Sequence, residues 1–395
     1  MFRFFRKSYK KQSGSIMPVT ALALVSIMGM AGLVVDSSHL FISKTKLQNT
    51  LDAAALGSAK VLDDTSNQFT ARAAARRIIT NNLAQDSYRE LRDLGLDATD
   101  FVVQFSDTRN PFIANPAATK FVRIRLNQEV IELDTIFMKI MGVDELDLTG
   151  SAVAGPSPAL GEVCNIVPTI ICGDPDEEPD NEGMYGYEYG DQVTLAMGNT
   201  KNNDIGPGNY QLLDLPGNGN SNQLRENLAG GSSACASAAE AVETKPGVNR
   251  GPVAQGINTR FGIYSGPVSA EDFPPDLVTD AGAANYPDTY AEYQFDNMIK
   301  NYDEAIDGIS ERRVMAVAFG KCDGTVNGQG TVDLLGFGCV FLTEPAQNNG
   351  ALQTVQMSGE LIRDCRSSGV PGPNPVDGPG VHTIQLYGDP DRWDS

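Results

Sequence analysis

The strongest constraint on this fold is a run of 22 residues, 14–35, that holds no charged side chain. At ~1.5 Å of rise per residue such a run reaches ~33 Å as a helix, enough to cross a hydrocarbon core of ~30 Å. Arg3, Arg6, Lys7, Lys10 and Lys11 crowd its N-terminal side and Asp36 follows it, a bias that puts the N-terminus in the cytoplasm. The helical pattern does not stop with the span. Leu33, Leu40, Leu47, Ala54 and Val61 recur every seven residues, and Leu51, Ala55 and Leu62 widen the stripe. A secretory signal cut after Gly29-Met30-Ala31 fits part of the same stretch. The apolar run is longer than an ordinary signal core, however, and the stripe passes through the possible cut. The expectation is a retained single-pass anchor whose helix becomes the spine of a folded domain.

Charge divides the 395 residues unevenly. Residues 1–160 carry 18 Lys/Arg against 16 Asp/Glu, and residues 161–395 carry 12 against 34. A body this acidic repels phosphate backbones, which excludes nucleic acid as a partner. All six cysteines, Cys164, Cys172, Cys235, Cys322, Cys339 and Cys365, lie beyond the span. An even count confined there points to three disulfides in an oxidising compartment. Fifteen connectivities are open; the expected one pairs Cys164 with Cys172, Cys322 with Cys339 and Cys235 with Cys365. Zinc is disfavoured, because no C-x-x-C spacing occurs and His39 and His382 are the only histidines.

In chain order, Asp63-Asp64-Thr65-Ser66-Asn67 breaks the spine, and Ala71, Ala74, Ala75, Ile78, Ile79 and Leu83 mark a second amphipathic helix. FVVQFSD (101–107) and FVRIRLNQEV (121–130) read as strands, LDTIFMKIM (133–141) as a short helix ended by Gly142, and LDLTGSAVAG (146–155) as a third strand. Gly155-Pro156-Ser157-Pro158 marks a boundary. Beyond it a helix is expected around 222–243, interrupted by Gly230-Gly231, and strands at 312–322, 331–344, 352–365 and 381–388. The expected fold class is α+β. A transmembrane helix (14–35) follows a cytoplasmic basic tail (1–13) and extends into a long helix packed on a small antiparallel sheet (36–155). An acidic, β-rich, disulfide-tied domain (156–395) follows in the oxidising compartment.

Catalytic signatures are absent from the sequence: there is no G-x-S-x-G elbow, P-loop or H-E-x-x-H. An enzyme is not expected, and no cofactor. Calcium has two weak candidates. Asp323, Thr325, Asn327 and Gly328 occupy EF-hand-like positions, but Leu334 stands where the bidentate Glu belongs. Asp174-Pro175-Asp176-Glu177-Glu178 is an acidic turn. Within the span, Ser26, Gly29 and Gly32 would let another transmembrane helix approach closely, or would simply face lipid.

The N-terminal stretch resembles the shared segment of TadG-like proteins of the Tad (tight adherence, Flp-type) pilus-assembly family. The resemblance rests on Asp36 after the span, Leu47-Gln48-Asn49, and Asp52-Ala53-Ala54-Ala55-Leu56. CNIVPTIIC (164–172), PGNYQLLDL (207–215), INTRFGIY (257–264) and VFLTEPA (340–346) are similar to later segments of the same group. It implies an inner-membrane-anchored periplasmic component of an adhesive pilus machine, with membrane lipid, other machine proteins and minor pilins as partners. Two family features do not transfer. Asp36-Ser37-Ser38-His39-Leu40 lacks the last serine of a D-x-S-x-S metal site, and Val19 stands where a prepilin cut at Gly14-Ser15 would have its glutamate. The function expected is therefore tethering and protein–protein contact, as an assembly factor or minor pilin-like subunit. The alternative is a surface adhesin in which an acidic, tyrosine-rich region (Tyr286, Tyr290, Tyr293, Tyr302) binds glycan or calcium.

Overall fold

The computed structural model describes residues 16–127, 131–197, 209–216, 219–230, 233–247, 249–279, 289–299, 308–322, 324, 326, 328–349, 354–371 and 378–391. The basic tail, Gly14, Ser15, Asp323, Thr325, Asn327, Tyr286 and Tyr302 lie outside them. The fold is α+β, and it begins with one unbroken helix of 50 residues, α1 (Ile16–Thr65). Its two ends meet different surroundings. Val19, Leu22, Val25, Met28 and Met30 are exposed, whereas Leu47, Leu51, Ala54, Ala55, Ala59 and Leu62 are fully buried. A left-handed turn at Ser66 reverses the chain into α2 (Gln68–Leu83), whose first turn is capped by Asn67 Oδ1 accepting the Phe69 N–H at 2.8 Å. The helices pack closely because their contact residues are small: Ala71, Ala74 and Ala75 on α2 face α1, and Ser58 Oγ donates to the Ala71 carbonyl at 2.8 Å.

The opposite face of the α1 spine lies on an antiparallel sheet. Strands β1 (Phe101–Ser106) and β2 (Phe121–Leu126) pair directly, with Phe101 opposite Leu126. A hairpin, β3 (Ile131–Asp134) and β4 (Glu145–Leu148), stands off this sheet. Strand β5 (Ser151–Pro156) then pairs with β2. The small residues around β5 bring the backbone against the spine: a Cβ at Gly150 would sit 2.7 Å from Leu51 Cδ1. Two expectations change here. The expected helix over 133–141 is instead the end of β3 and a four-residue 3-10 turn (Met138–Met141), because the amides at 136–138 bond to Asp36 rather than within a helix. The expected single strand over 146–155 is two, broken at Thr149-Gly150.

The boundary after Gly155 is crossed by the end of the chain. Ile384–Tyr387 returns to pair with β5, giving a four-stranded sheet in the order β1-β2-β5-C-terminal strand. Tyr387 Oη donates to the Pro156 carbonyl at 2.6 Å, and its ring meets Phe121 edge-on at 5.9 Å. This strand, expected in the distal domain, therefore belongs to the first sheet.

The distal unit is β-rich and centred on two antiparallel strands, Val314–Lys321 and Thr331–Leu342, with Thr354–Ile362 on the far side of the second. Their side chains alternate between two buried clusters. Met315, Val317, Phe319 and Val340 face one, and Ala316, Ala318, Cys339 and Phe341 face the other. Both faces are thus covered, which is why these strands read as nearly continuous apolar runs. Helices Ser221–Gly230 and Arg250–Asn258 cover the first face through Leu224, Leu228, Val253 and Ile257. The helix expected over 222–243 stops at Gly230; its second half forms strands Cys235–Ser237 and Ala241–Pro246, recruited by cross-strand partners.

The three disulfides join Cys164 to Cys235, Cys172 to Cys322 and Cys339 to Cys365, so all three expected pairings are corrected. Short sequence separation misled, because strand register decides which cysteines meet. Cys164 lies directly opposite Cys235 on antiparallel neighbours. The strands bearing Cys339 and leading to Cys322 are indeed paired, but Cys339 falls opposite Ala316, well away from Cys322.

Candidate functional site

A cluster of polar contacts gathers where α1 leaves its exposed half. Asp36 is buried (2% exposed) although it follows the apolar run by a single position. Its carboxylate accepts three backbone N–H groups from the hairpin tip: Ile136 at 3.0 Å, Phe137 at 2.9 Å and Met138 at 2.6 Å. One turn earlier, Gly32 lies under Phe137, and a Cβ there would come within 2.5 Å of Phe137 Cβ. Gly32 is thus used inside the chain, as the seat for the hairpin. Gly29 has nothing within 4 Å of its would-be Cβ, and Ser26 Oγ donates to the Leu22 carbonyl of its own helix at 2.9 Å.

One turn later a second clamp holds α1. Glu90, on the short helix Arg89–Asp93, meets His39 Nε2 at 3.2 Å and Lys46 Nζ at 3.5 Å, and Ser43 Oγ donates to it at 3.4 Å. Desolvation works against the Glu90 charge, but Lys46 and His39 outweigh it and hold the carboxyl below the usual range. Together Asp36 and Glu90 tie the exit of α1 to two separate parts of the domain. The helix therefore leaves its exposed segment without a hinge.

The other family-motif residues serve the spine. Leu47, Ala54 and Ala55 are core, Gln48 Nε2 donates to the Ser151 carbonyl at 2.9 Å and to Asp52 at 2.8 Å, and Asn49 is exposed and Ala53 half-buried.

At its far end α1 meets the distal unit through charge. Asp63 and Asp64 face Arg366, with Arg366 Nη1 bonded to Asp64 and 3.5 Å from Asp63. His382 Nε2 lies 3.0 Å from Asp63 Oδ1. Burial opposes a charged His382, but the hydrogen bond and charge of Asp63 prevail and raise its pKa. Glu311 nearby is pushed well above the carboxylate range by burial and then by Asp64 and Asp63. Within the first sheet, Arg123 of β2 binds Asp389 and Asp391 just beyond the C-terminal strand. A cavity of about 920 Å³ opens where α1 meets the distal unit, with Asp63, Arg109, Lys120, Tyr290, Glu360 and His382 in its wall.

The sequence-level binding candidates fare differently. Tyr293 is fully buried, its hydroxyl 2.9 Å from Asp276 and its ring against Phe341, so it is a core residue and no part of an exposed tyrosine patch. In the acidic turn, Asp174 accepts the Asp176 N–H at 2.9 Å and so closes the turn itself. Among the described residues, the close group of metal-ligand type is Glu162 with Cys164 and Cys235, whose sulfurs are bonded to each other. The Asp36 contact had a visible half in the sequence, an acid directly after the span; its partner amides a hundred residues on had none.

A family model of TadE/G-like Flp pilus-assembly proteins matches residues 14–77, and a second, of Tad-like Flp pilus-assembly proteins, matches residues 57–154. No curated protein matches the chain, and no solved structure does. The matched segments run from the apolar start of α1 to within two residues of the end of β5, and include both sides of the Asp36 and Glu90 clamps. Residues 14–154 are thus similar to TadE/G-like and Tad-like Flp pilus-assembly proteins, and the two matches together cover less than half of the chain.

Proposed function

We propose that the protein is a non-enzymatic, inner-membrane-anchored component of a Flp pilus-assembly machine, working by tethering and protein–protein contact. The observation that carries this reading is α1 itself: one helix, exposed and apolar over its first half and core-forming over its second. An exposed apolar half suits lipid, and a core-forming half passes any displacement of the anchor to the folded unit. The clamps at Asp36 and Glu90 support the same reading, because they stiffen the joint where a flexible tether would bend. With the N-terminus cytoplasmic, the acidic distal unit faces an oxidising periplasm, in keeping with its three disulfides. It is the surface offered to other machine proteins and minor pilins.

Cell fractionation tests this. Deletion of the protein should abolish assembled Flp pili, and the protein should stay with the inner membrane when fibres are sheared off. Recovery in the sheared fibres would replace the assembly role with that of a subunit or adhesin. Assembled pili at normal abundance without the protein would refute a part in assembly.

A further inference from the structure

The tip of the β3–β4 hairpin, IFMKIMGV (136–143), turns its apolar side chains outward. Ile140 is 86% exposed, Met141 67%, Ile136 59% and Phe137 45%. Phe41 and Ile42 on α1 are exposed as well. An apolar patch this concentrated on a folded domain marks an interaction surface. Its position along α1 is fixed by contacts already described: the amides of 136–138 on Asp36, and Phe137 seated on Gly32. Gly32 precedes Asp36 by about one helical turn, or ~6 Å along the axis. The tip is therefore level with the last turn of the apolar run.

The hairpin shaft changes character abruptly. Glu132, Asp134, Asp144, Glu145 and Asp147 are all exposed, and crowding by Glu132 raises the Glu145 carboxyl. Carboxylates resist entry into hydrocarbon, so the shaft sets a limit to how deep the tip can go. Lys139 is the one cation of the tip, and its long stem lets the ammonium reach the headgroups.

We propose that residues 136–143 are a lipid-binding collar that inserts into the leaflet α1 leaves, so that the domain meets the bilayer at two points. The occupant is the headgroup–acyl boundary, and the inference rests on reading α1 as a membrane span. Continuity with that span is what selects lipid over a protein partner, because the tip is pinned at the depth where the span ends. A single helix leaves the domain free to rotate about the membrane normal; a second contact removes that freedom. The acidic shaft repels anionic headgroups, so the collar suits neutral lipid.

The full chain, reconstituted in phosphatidylcholine vesicles, is labelled with an environment-sensitive fluorophore at Met28, Ile140 or Glu188 in separate preparations. Nitroxide lipids quench from shallow or deep acyl positions. The collar predicts deep quenching at 28, shallow quenching with a blue shift at 140, and neither at 188. Quenching at 28 with 140 behaving like 188 overturns the collar and leaves the anchor standing. No quenching at either 28 or 140 overturns the anchor reading and the collar with it. A blue shift at 140 without lipid quenching identifies a protein contact and overturns the lipid assignment.

Discussion

The unit built on α1 contains no cysteine, whereas the distal unit carries all six, and the two are held together by correspondingly different means. In the first, a long amphipathic helix lies between α2 and a sheet, and Leu47, Leu51, Ile79, Phe105 and Ile124 form one apolar cluster. In the second, strands from distant parts of the sequence pair into a sheet buried on both faces, and the unit is cross-linked over separations of 71, 150 and 26 residues. Local periodicity specifies the first. Long-range pairing specifies the second, and closing long loops carries an entropic cost that covalent links help to offset. The family matches stop where this change of construction begins.

The largest test of that contrast is reduction. Removing the three disulfides should lower the stability of the distal unit by about 2–5 kcal/mol for each bond. Limited proteolysis under reducing conditions should therefore cleave between residues 160 and 371 while α1, α2, β1 and β2 stay protected. Equal loss of both units would show that the first depends on the second. Next in size, Leu51→Ala should cost about 2–5 kcal/mol, since Leu51 is fully buried against Gly150. Denaturant unfolding should show the loss in the α1 unit with the disulfide-linked unit unchanged.

A smaller effect is expected at the exit of the stem. Asp36→Ala leaves three amides of the hairpin tip without their acceptor, a loss of about 1–3 kcal/mol. Hydrogen exchange should rise at 136–138 and remain slow on β1 and β2. The smallest concerns the seam between the units. The His382 pKa is raised in the folded state, so its contribution is fully present below the unfolded value and is lost as pH rises through the folded value. Glu311 acts in the same direction, because its folded carboxyl binds a proton more tightly than the unfolded one. Protection relative to the intrinsic exchange rate at 364–366 and 380–382 should accordingly rise on going from alkaline to mildly acidic buffer, and His382→Gln should flatten the His382 part of that dependence.

The contrast also explains what could be read from residue order. The spine is legible because Leu47, Ala54, Leu51 and Leu62 repeat at a helical period, β1 because it is rich in β-branched and aromatic residues, and β2 because its apolar residues alternate. LDTIFMKIM reads as a helix because it runs without Gly or Pro up to Gly142, yet its amides are claimed by Asp36, which no local window contains. The disulfides were misassigned because a cysteine's partner depends on register, and Cys164 meets Cys235 only once two strands from separate regions are aligned. The return of Ile384–Tyr387 to the first sheet was hidden for the same reason. Site residues that act along α1 were visible; those that act on α1 from elsewhere, Glu90 and Arg366, carried no signal.

The central claim is that one continuous helix joins the apolar segment to the folded unit in the mature protein. Intact-mass analysis of the protein purified from membranes tests it directly. The account predicts a chain that retains residues 14–35 and is released from the membrane by detergent but not by alkaline carbonate. A mature chain beginning near Gly32, recovered in the soluble fraction, would contradict it.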